Sequence, residues 1–409
     1  MNIKKDILLG VLLCFSFQKL EAQTLTPVPA CVKMDLNVLQ LGADSSAFNR
    51  FFNKMQGLSD TKFSRLSIVH IGGSHVQAGI WSNSFSSQLQ ESYHTSGGGY
   101  FGFPYKLAKT NGQHYLTTFS SAKWKKCRAA KVDYCLPLGM SGLSVSTNDS
   151  AGYFGAALNQ RSSCRSITTV RVYHNFNPSF SFSLQTSGLG VITRLDQVAA
   201  GYSVFSFENA TDSLVFNFTR CDTNQQDLIL YGFSLENDVQ SGVFLAALGL
   251  NGATANSFLH CSELSRQLPS LSADLYVLSL GVNDTQSAEF TKEGFYKNYD
   301  SLIRIIRASD PSAAILLTTT SDNFIRKKTL NKRTALARDV MFQLMNDRGV
   351  GVWDLYGLMG GPRSIIKWAQ AGLASGDRVH FTGKGYVLLG QLMAEAFLSA
   401  SGKTKLTPP

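Results

Sequence analysis

Two hydrophobic textures divide the chain. Residues 66–71 are a short apolar run, partly β-branched and closed by Gly72 and Gly73, which predicts a buried parallel strand. Apolar positions at helical spacing over 80–94 predict a helix behind it, so Ser74 falls on a strand-to-helix turn that glycine allows to be tight. The pattern resumes after residue 240, with strands predicted over 243–250, 275–280, 313–320 and 350–354. Helices are predicted over 257–268, 290–307, 328–347 and 388–398, and an amphipathic segment over 45–55 precedes the first strand. Strands joined by helices at this spacing predict a parallel sheet covered on both faces.

Between 113 and 239 the texture changes to short alternating runs at 167–174, 179–184, 202–207, 213–218 and 228–233, with turn residues between them. No helical period interrupts them, which predicts an antiparallel β-sandwich or jelly roll inserted into an α/β chain. Its aromatic residues recur at period two, a core pattern before it is a sugar-stacking one. The expected division is therefore an α/β domain over 23–112 and 240–402, an insert over 113–239, and a tail over 403–409. Residues 97–102 formally meet G-x-G-x-x-G, but they follow a helix and precede Phe103 and Pro104, so the dinucleotide reading fails and a loop is expected.

Composition narrows the classes. With 409 residues, 44% hydrophobic and 16% charged, the chain has ample material for a large core. A basic start and an apolar run over 7–17, too short to span a bilayer, predict a signal peptide over 1–22 and export to the periplasm or beyond; no later segment is long and apolar enough to cross a membrane. Cleavage near Ala22 takes Lys4, Lys5 and Lys19 with Asp6 and Glu21, so the charge of +10 becomes +9. Such an excess steers a protein toward acidic polymers or anionic lipid, and equally serves as a plain soluble surface. Nucleic acid is excluded by the address and by the lack of any binding signature. Six cysteines would remain: Cys31, Cys127, Cys135, Cys164, Cys221 and Cys261. Up to three disulfides are possible, with Cys127 and Cys135 the closest pair and Cys164 with Cys221 suited to an inter-strand bridge; buried thiols are the alternative. No metal-ligand spacing is present, and no metal or cofactor is expected.

Three further stretches sit where strands or loops end: Gly249-Leu250-Asn251-Gly252, Gly281-Val282-Asn283-Asp284 and Asp377-Arg378-Val379-His380. In a doubly wound sheet all carboxyl-end loops converge on one crevice, so Ser74, Gly252, Asn283 and His380 should be neighbours. Singly, each has an ordinary reading. Gly-Gly-Ser is a helix-capping loop, Asn-Asp a turn, Asp-x-x-His a surface loop, His75 a helix-start residue and His70 a satisfied core histidine. Their joint placement favours a site. The nucleophile elbow G-x-S-x-G is not met, because Val76 stands at its second glycine.

The four blocks, Ser74, Gly252, Asn283 and His380 in this order, resemble the SGNH (GDSL-type) hydrolase family. The β-rich insertion and the Gly-Ser-His start look most like the bacterial peptidoglycan O-acetylesterases of that family. The resemblance implies a three-layer, flavodoxin-like α/β fold with an inserted, carbohydrate-binding-module-like sandwich, and a carboxylic ester hydrolase acting on an O-acetylated glycan. Ser74 would attack the ester, His380 would move its proton, and Asp377 would orient His380. The N–H groups of Ser74 and Gly252 and the amide of Asn283 would hold the oxyanion. Gly73 stands where the family's block one has aspartate. A lipase, lysophospholipase or acyltransferase, or a glycan-binding protein on an inactive scaffold, are the alternatives. The insert is also expected to be separable, so that replacing residues 115–238 by a linker spares hydrolysis of a small ester.

Overall fold

The structure, a computed structural model, describes residues 28–59, 64–131, 136–222 and 226–403. The expected signal peptide, Cys135 and the tail beyond 403 lie outside them.

Six parallel strands form the centre of the large sheet, in the order Gly351–Trp353, Ala314–Thr318, Leu275–Ser279, Arg65–Gly72, Gly242–Gly249 and Gly97–Gly102. Their side chains are buried on both faces, which is why they read as continuous apolar runs. On one face the helices Ser46–Gln56, Ile80–Ser92 and Gly383–Ala400 meet through Phe51, Phe85 and Phe397, whose rings lie 5.1–5.5 Å apart. Gly390 lets two of these helices touch: a Cβ there would sit 2.4 Å from that of Ser84. Lys292–Ser309 and Arg333–Arg348 cover the other face. The helix expected over 257–268 is broken into Ala255–Leu259, Leu264–Gln267 and a 3₁₀ turn at Leu268–Leu271. Pro269, which has no N–H to donate, sits in that turn.

The 97–102 loop is instead a fully buried strand. Its glycines are there for space. A Cβ on Gly98 would come within 2.3 Å of the Val243 backbone, and one on Gly99 within 2.1 Å of the Leu235 carbonyl. This strand runs parallel to Gly242–Gly249 on one side and antiparallel to Leu228–Asn237 on the other, and from there the sheet continues through Ile167–His174, Tyr202–Thr211 and Ile192–Gln197. A second sheet of Leu116–Ser120, Ala151–Leu158, Ser213–Arg220 and Phe180–Leu184 faces this antiparallel half. Phe216 and Phe182 of the small sheet meet Phe205 of the large one at 5.3 and 6.1 Å. Phe180, Phe182 and Leu184 point inward while Ser181 and Ser183 are exposed, the period-two core expected there.

Two antiparallel layers therefore do face each other, but one of them is the extension of the parallel sheet and both halves share one core. That corrects the expectation that residues 115–238 are separable, since their removal would strip Gly97–Gly102 of a ladder partner. Cys164 and Cys221 are not bridged: the Cys164 thiol is buried and donates to the Ser166 carbonyl at 3.2 Å, while Cys221 is exposed.

Candidate active site

The site follows from strand order. Arg65–Gly72, which leads to Ser74, lies between Leu275–Ser279, which leads to Asn283, and Gly242–Gly249, which leads to Gly252. Gly72 is in register with both Ser279 and Gly249, so the three loops leave the sheet at one level. His380 arrives from the other direction, on the loop before Gly383–Ala400. That helix is capped by Thr382, whose hydroxyl accepts the Gly385 N–H at 3.2 Å, and it packs on the helix that follows Ser74. Within the loop, Ser375 N–H donates to the His380 carbonyl at 2.7 Å and Thr382 N–H to Leu373 at 2.9 Å.

Ser74 Oγ lies 2.8 Å from His380 Nε2, and His380 Nδ1 lies 2.7 Å from Asp377 Oδ2. Asp377 Oδ1 also accepts the N–H groups of Val379 and His380, each at 2.9 Å, so the three-residue spacing is a turn closed by its own carboxylate. Burial would raise the Asp377 carboxyl, but the bonds from His380 and Val379 outweigh it and hold the group below the usual aspartate value. A carboxylate can only accept, so the proton sits on Nδ1 and the Nε2 lone pair faces the serine hydroxyl. The His380 and Asp377 side chains keep 40% and 31% of their surface, enough for a substrate to reach them.

Beside Ser74, Gly252 adopts φ +84°, a left-handed conformation that a side chain would strain. The N–H groups of Ser74 and Gly252 find no acceptor among the described residues. Asn283 Nδ2 donates to the Ala253 carbonyl at 2.8 Å, which fixes the amide plane and leaves its second N–H. A Cβ at residue 73 would lie 3.2 Å from that nitrogen and 3.5 Å from the Ala253 carbonyl oxygen, so the glycine, in place of the expected aspartate, lets the amide sit close against the backbone of the Ser74 turn. Asp284 is buried and anchors the neighbouring loop by accepting the Ala255 N–H at 3.1 Å; burial pushes its carboxyl up to about 6.

His70 hydrogen-bonds Ser279 at 2.6 Å and Ser82 at 2.8 Å, and burial lowers its pKa to about 3, so it is a satisfied core residue. Sequence patterns assigned no role in the site to three other neighbours. His75 lies with its ring 5.3 Å from that of His380 and bonds the Tyr386 hydroxyl at 2.9 Å; burial keeps it neutral, with a pKa of about 3. Gln77, on the Ser74 helix, accepts the Asn251 N–H at 2.7 Å and donates to Thr110 Oγ1 and the Asn111 carbonyl. Arg128, from the antiparallel region, donates to the Asn251 carbonyl at 2.9 Å. A buried amide inside a short helix has no periodic signature, so only the assembled loops reveal it.

Comparison with known proteins fits this geometry. The family described as GDSL-like lipase/acylhydrolase matches residues 212–388, a span that holds Gly252, Asn283, Asp377 and His380 and begins after Ser74. A solved peptidoglycan O-acetylesterase matches with a TM-score of 0.74 at 19% identity, over 90% of this chain and 99% of that one. Over residues 212–388 the chain matches the GDSL-type (SGNH) hydrolases in sequence, and over most of its length it shares the fold of one. It is thereby a carboxylic ester hydrolase. Other solved structures overlap this hydrolase less. A GDSL-like lipase from Bacteroides thetaiotaomicron covers 38% of this chain and 76% of its own at 19% identity and a TM-score of 0.32. A carbohydrate esterase of family 3 from Talaromyces cellulolyticus covers 40% and 74% at 13% identity and 0.30. No curated protein sequence matches the hydrolase.

Proposed function

We propose that this hydrolase is an exported serine esterase that removes O-acetyl groups from a carbohydrate polymer, with peptidoglycan the leading substrate. The observation that carries the reading is the unbroken line Ser74 Oγ, His380 Nε2, His380 Nδ1, Asp377 Oδ2, with links of 2.8 and 2.7 Å. The similarity to a peptidoglycan O-acetylesterase over 90% of the chain supports the substrate class, because it spans the antiparallel half as well as the catalytic half.

Ser74 attacks the ester carbonyl carbon as its proton passes to His380 Nε2. The carbonyl oxygen takes up negative charge and is met by the N–H groups of Ser74 and Gly252 and the free N–H of Asn283. Collapse of that adduct breaks the bond to the sugar oxygen, which leaves with the proton from His380, and an acetyl group stays on Ser74. Water then repeats the sequence, giving up a proton to His380, and releases acetate. Asp377 stays ionised throughout and stabilises the imidazolium that forms twice per cycle.

The test is acetate release from O-acetylated peptidoglycan, set beside a series of aryl esters from acetyl to long-chain. Release from the polymer and a steep preference for acetyl are expected. Preference for long acyl chains with no acetate released from the polymer would make the protein a lipase-type member instead.

A further inference from the structure

A groove of about 560 Å³ lies between the loop carrying Lys106 and Lys109 and the strand and turn carrying Phe119, Lys123 and Trp124. All three lysines are exposed, and none makes an ion pair with a described residue. No acidic side chain lines the groove; the nearby Asp149 is engaged by the Lys123 backbone N–H at 2.7 Å. Trp124 is half-buried, its ring edge held by Phe154 and Phe218 and its indole N–H donating to Ser120 Oγ at 2.9 Å. Three exposed cations without an ion pair among the described residues, set around a rigid, partly exposed aromatic, are poorly placed for folding, since like charges at a concave surface repel. They are well placed for a ligand that is anionic and has apolar ring faces.

Both walls of the groove are tied to the oxyanion loop at one residue. The first wall continues into Thr110 and Asn111, which Gln77 holds while accepting the Asn251 N–H at 2.7 Å. The second continues from Trp124 along the strand Lys125–Arg128, where Arg128 donates to the Asn251 carbonyl at 2.9 Å. Asn251 precedes Gly252, and Ala130 lies 3.7 Å from where a Gly252 Cβ would be. Both walls are therefore held to the loop that carries Gly252, and Lys125 and Lys126 are exposed on the strand between Trp124 and Arg128.

We infer that this groove is a subsite for a carboxylate-bearing stretch of glycan, which the lysines bind while a neighbouring sugar presents its acetyl ester to Ser74. The inference rests on the polymer-esterase reading given above, extends it to acidic glycans, and assigns Lys106, Lys109 and Lys123 to their recognition.

Binding to ester-free ligands separates this proposal from that reading. The probes are peptidoglycan strands stripped of acetyl esters by mild alkali, polygalacturonate as a second acidic glycan, and chitohexaose as a neutral one. The intact protein should bind both acidic polymers and not chitohexaose, with affinity falling as salt is raised. The combined Lys106→Gln, Lys109→Gln, Lys123→Gln variant, checked by its melting temperature, should raise Kd for the acidic polymers at least tenfold, and Lys109→Glu alone should weaken binding as well. Unchanged affinity in a folded variant, or chitohexaose bound as tightly as the acidic polymers, overturns the subsite. Acetate release that fails while acidic binding persists overturns the esterase reading and leaves the subsite standing.

Discussion

Gln77 Oε1 accepts the Asn251 N–H at 2.7 Å, so the helix that begins with Ser74 also sets the position of the loop that carries Gly252. The Gln77 side chain is only 1% exposed and makes two further bonds, to Thr110 and Asn111. Ser74, the Gly252 loop and the groove wall thus share one buried amide. Gln77→Ala should cost about 2–4 kcal/mol of stability, because it leaves buried partners unpaired. It should also lower kcat for a small acetyl ester, since the Gly252 N–H loses its support. Denaturant unfolding and steady-state kinetics measure the two effects, and a variant as stable and active as the parent refutes the linkage.

Ser74→Ala should leave the melting temperature near that of the parent, since the hydroxyl is half-exposed and, among the described residues, bonds only His380. Ester turnover should fall by ~10⁴ or more. An unchanged kcat with a purified acetyl ester would end the assignment of the nucleophile.

Asn283→Ala should lower kcat by ~10²–10³ with KM little changed, because its free N–H matters once the carbonyl oxygen has gained charge. The same substitution loosens the Ala253 carbonyl, so a thermal melt belongs beside the kinetics. A change confined to KM would turn Asn283 into a substrate-binding residue.

Asp284 makes stability depend on pH. Burial pushes its carboxyl up to about 6, above the unfolded value of about 4, so the folded protein holds the proton more tightly. Its favourable contribution is full below about pH 4, is lost as pH rises toward 6, and stays lost above that. The neutral Asp284→Asn variant lacks this loss. Its stability relative to the parent should therefore rise by about 2 kcal/mol between pH 4 and pH 7, read from urea unfolding at each pH. A difference that does not vary with pH would mean that Asp284 is ionised at no cost.

The pattern of apolar and polar positions was enough for the alternation of strands and helices around Ser74, and for the chemical content of the loops at 249–252, 281–284 and 377–380. Those properties are local. A buried parallel strand must be continuously apolar, a tight strand-to-helix turn needs small residues, and an Asp-x-x-His turn closes on its own backbone. What lies between the elements was decided by packing. The strand Gly97–Gly102 read as a loop because its glycines exist only to let two neighbouring strands approach, and no periodicity records a neighbour. For the same reason the antiparallel strands read as a body apart, whereas hydrogen bonds from Leu228–Asn237 to Gly97–Gly102 join them to the parallel sheet. Gln77, Arg128 and His75 acquire their places from contacts with Asn251 and Tyr386, residues distant along the chain. The residue types near the site were thus legible from sequence, because chemistry and local backbone limit them; their mutual support was not, because hydrogen bonds between distant loops exist only once the strand order has put those loops side by side.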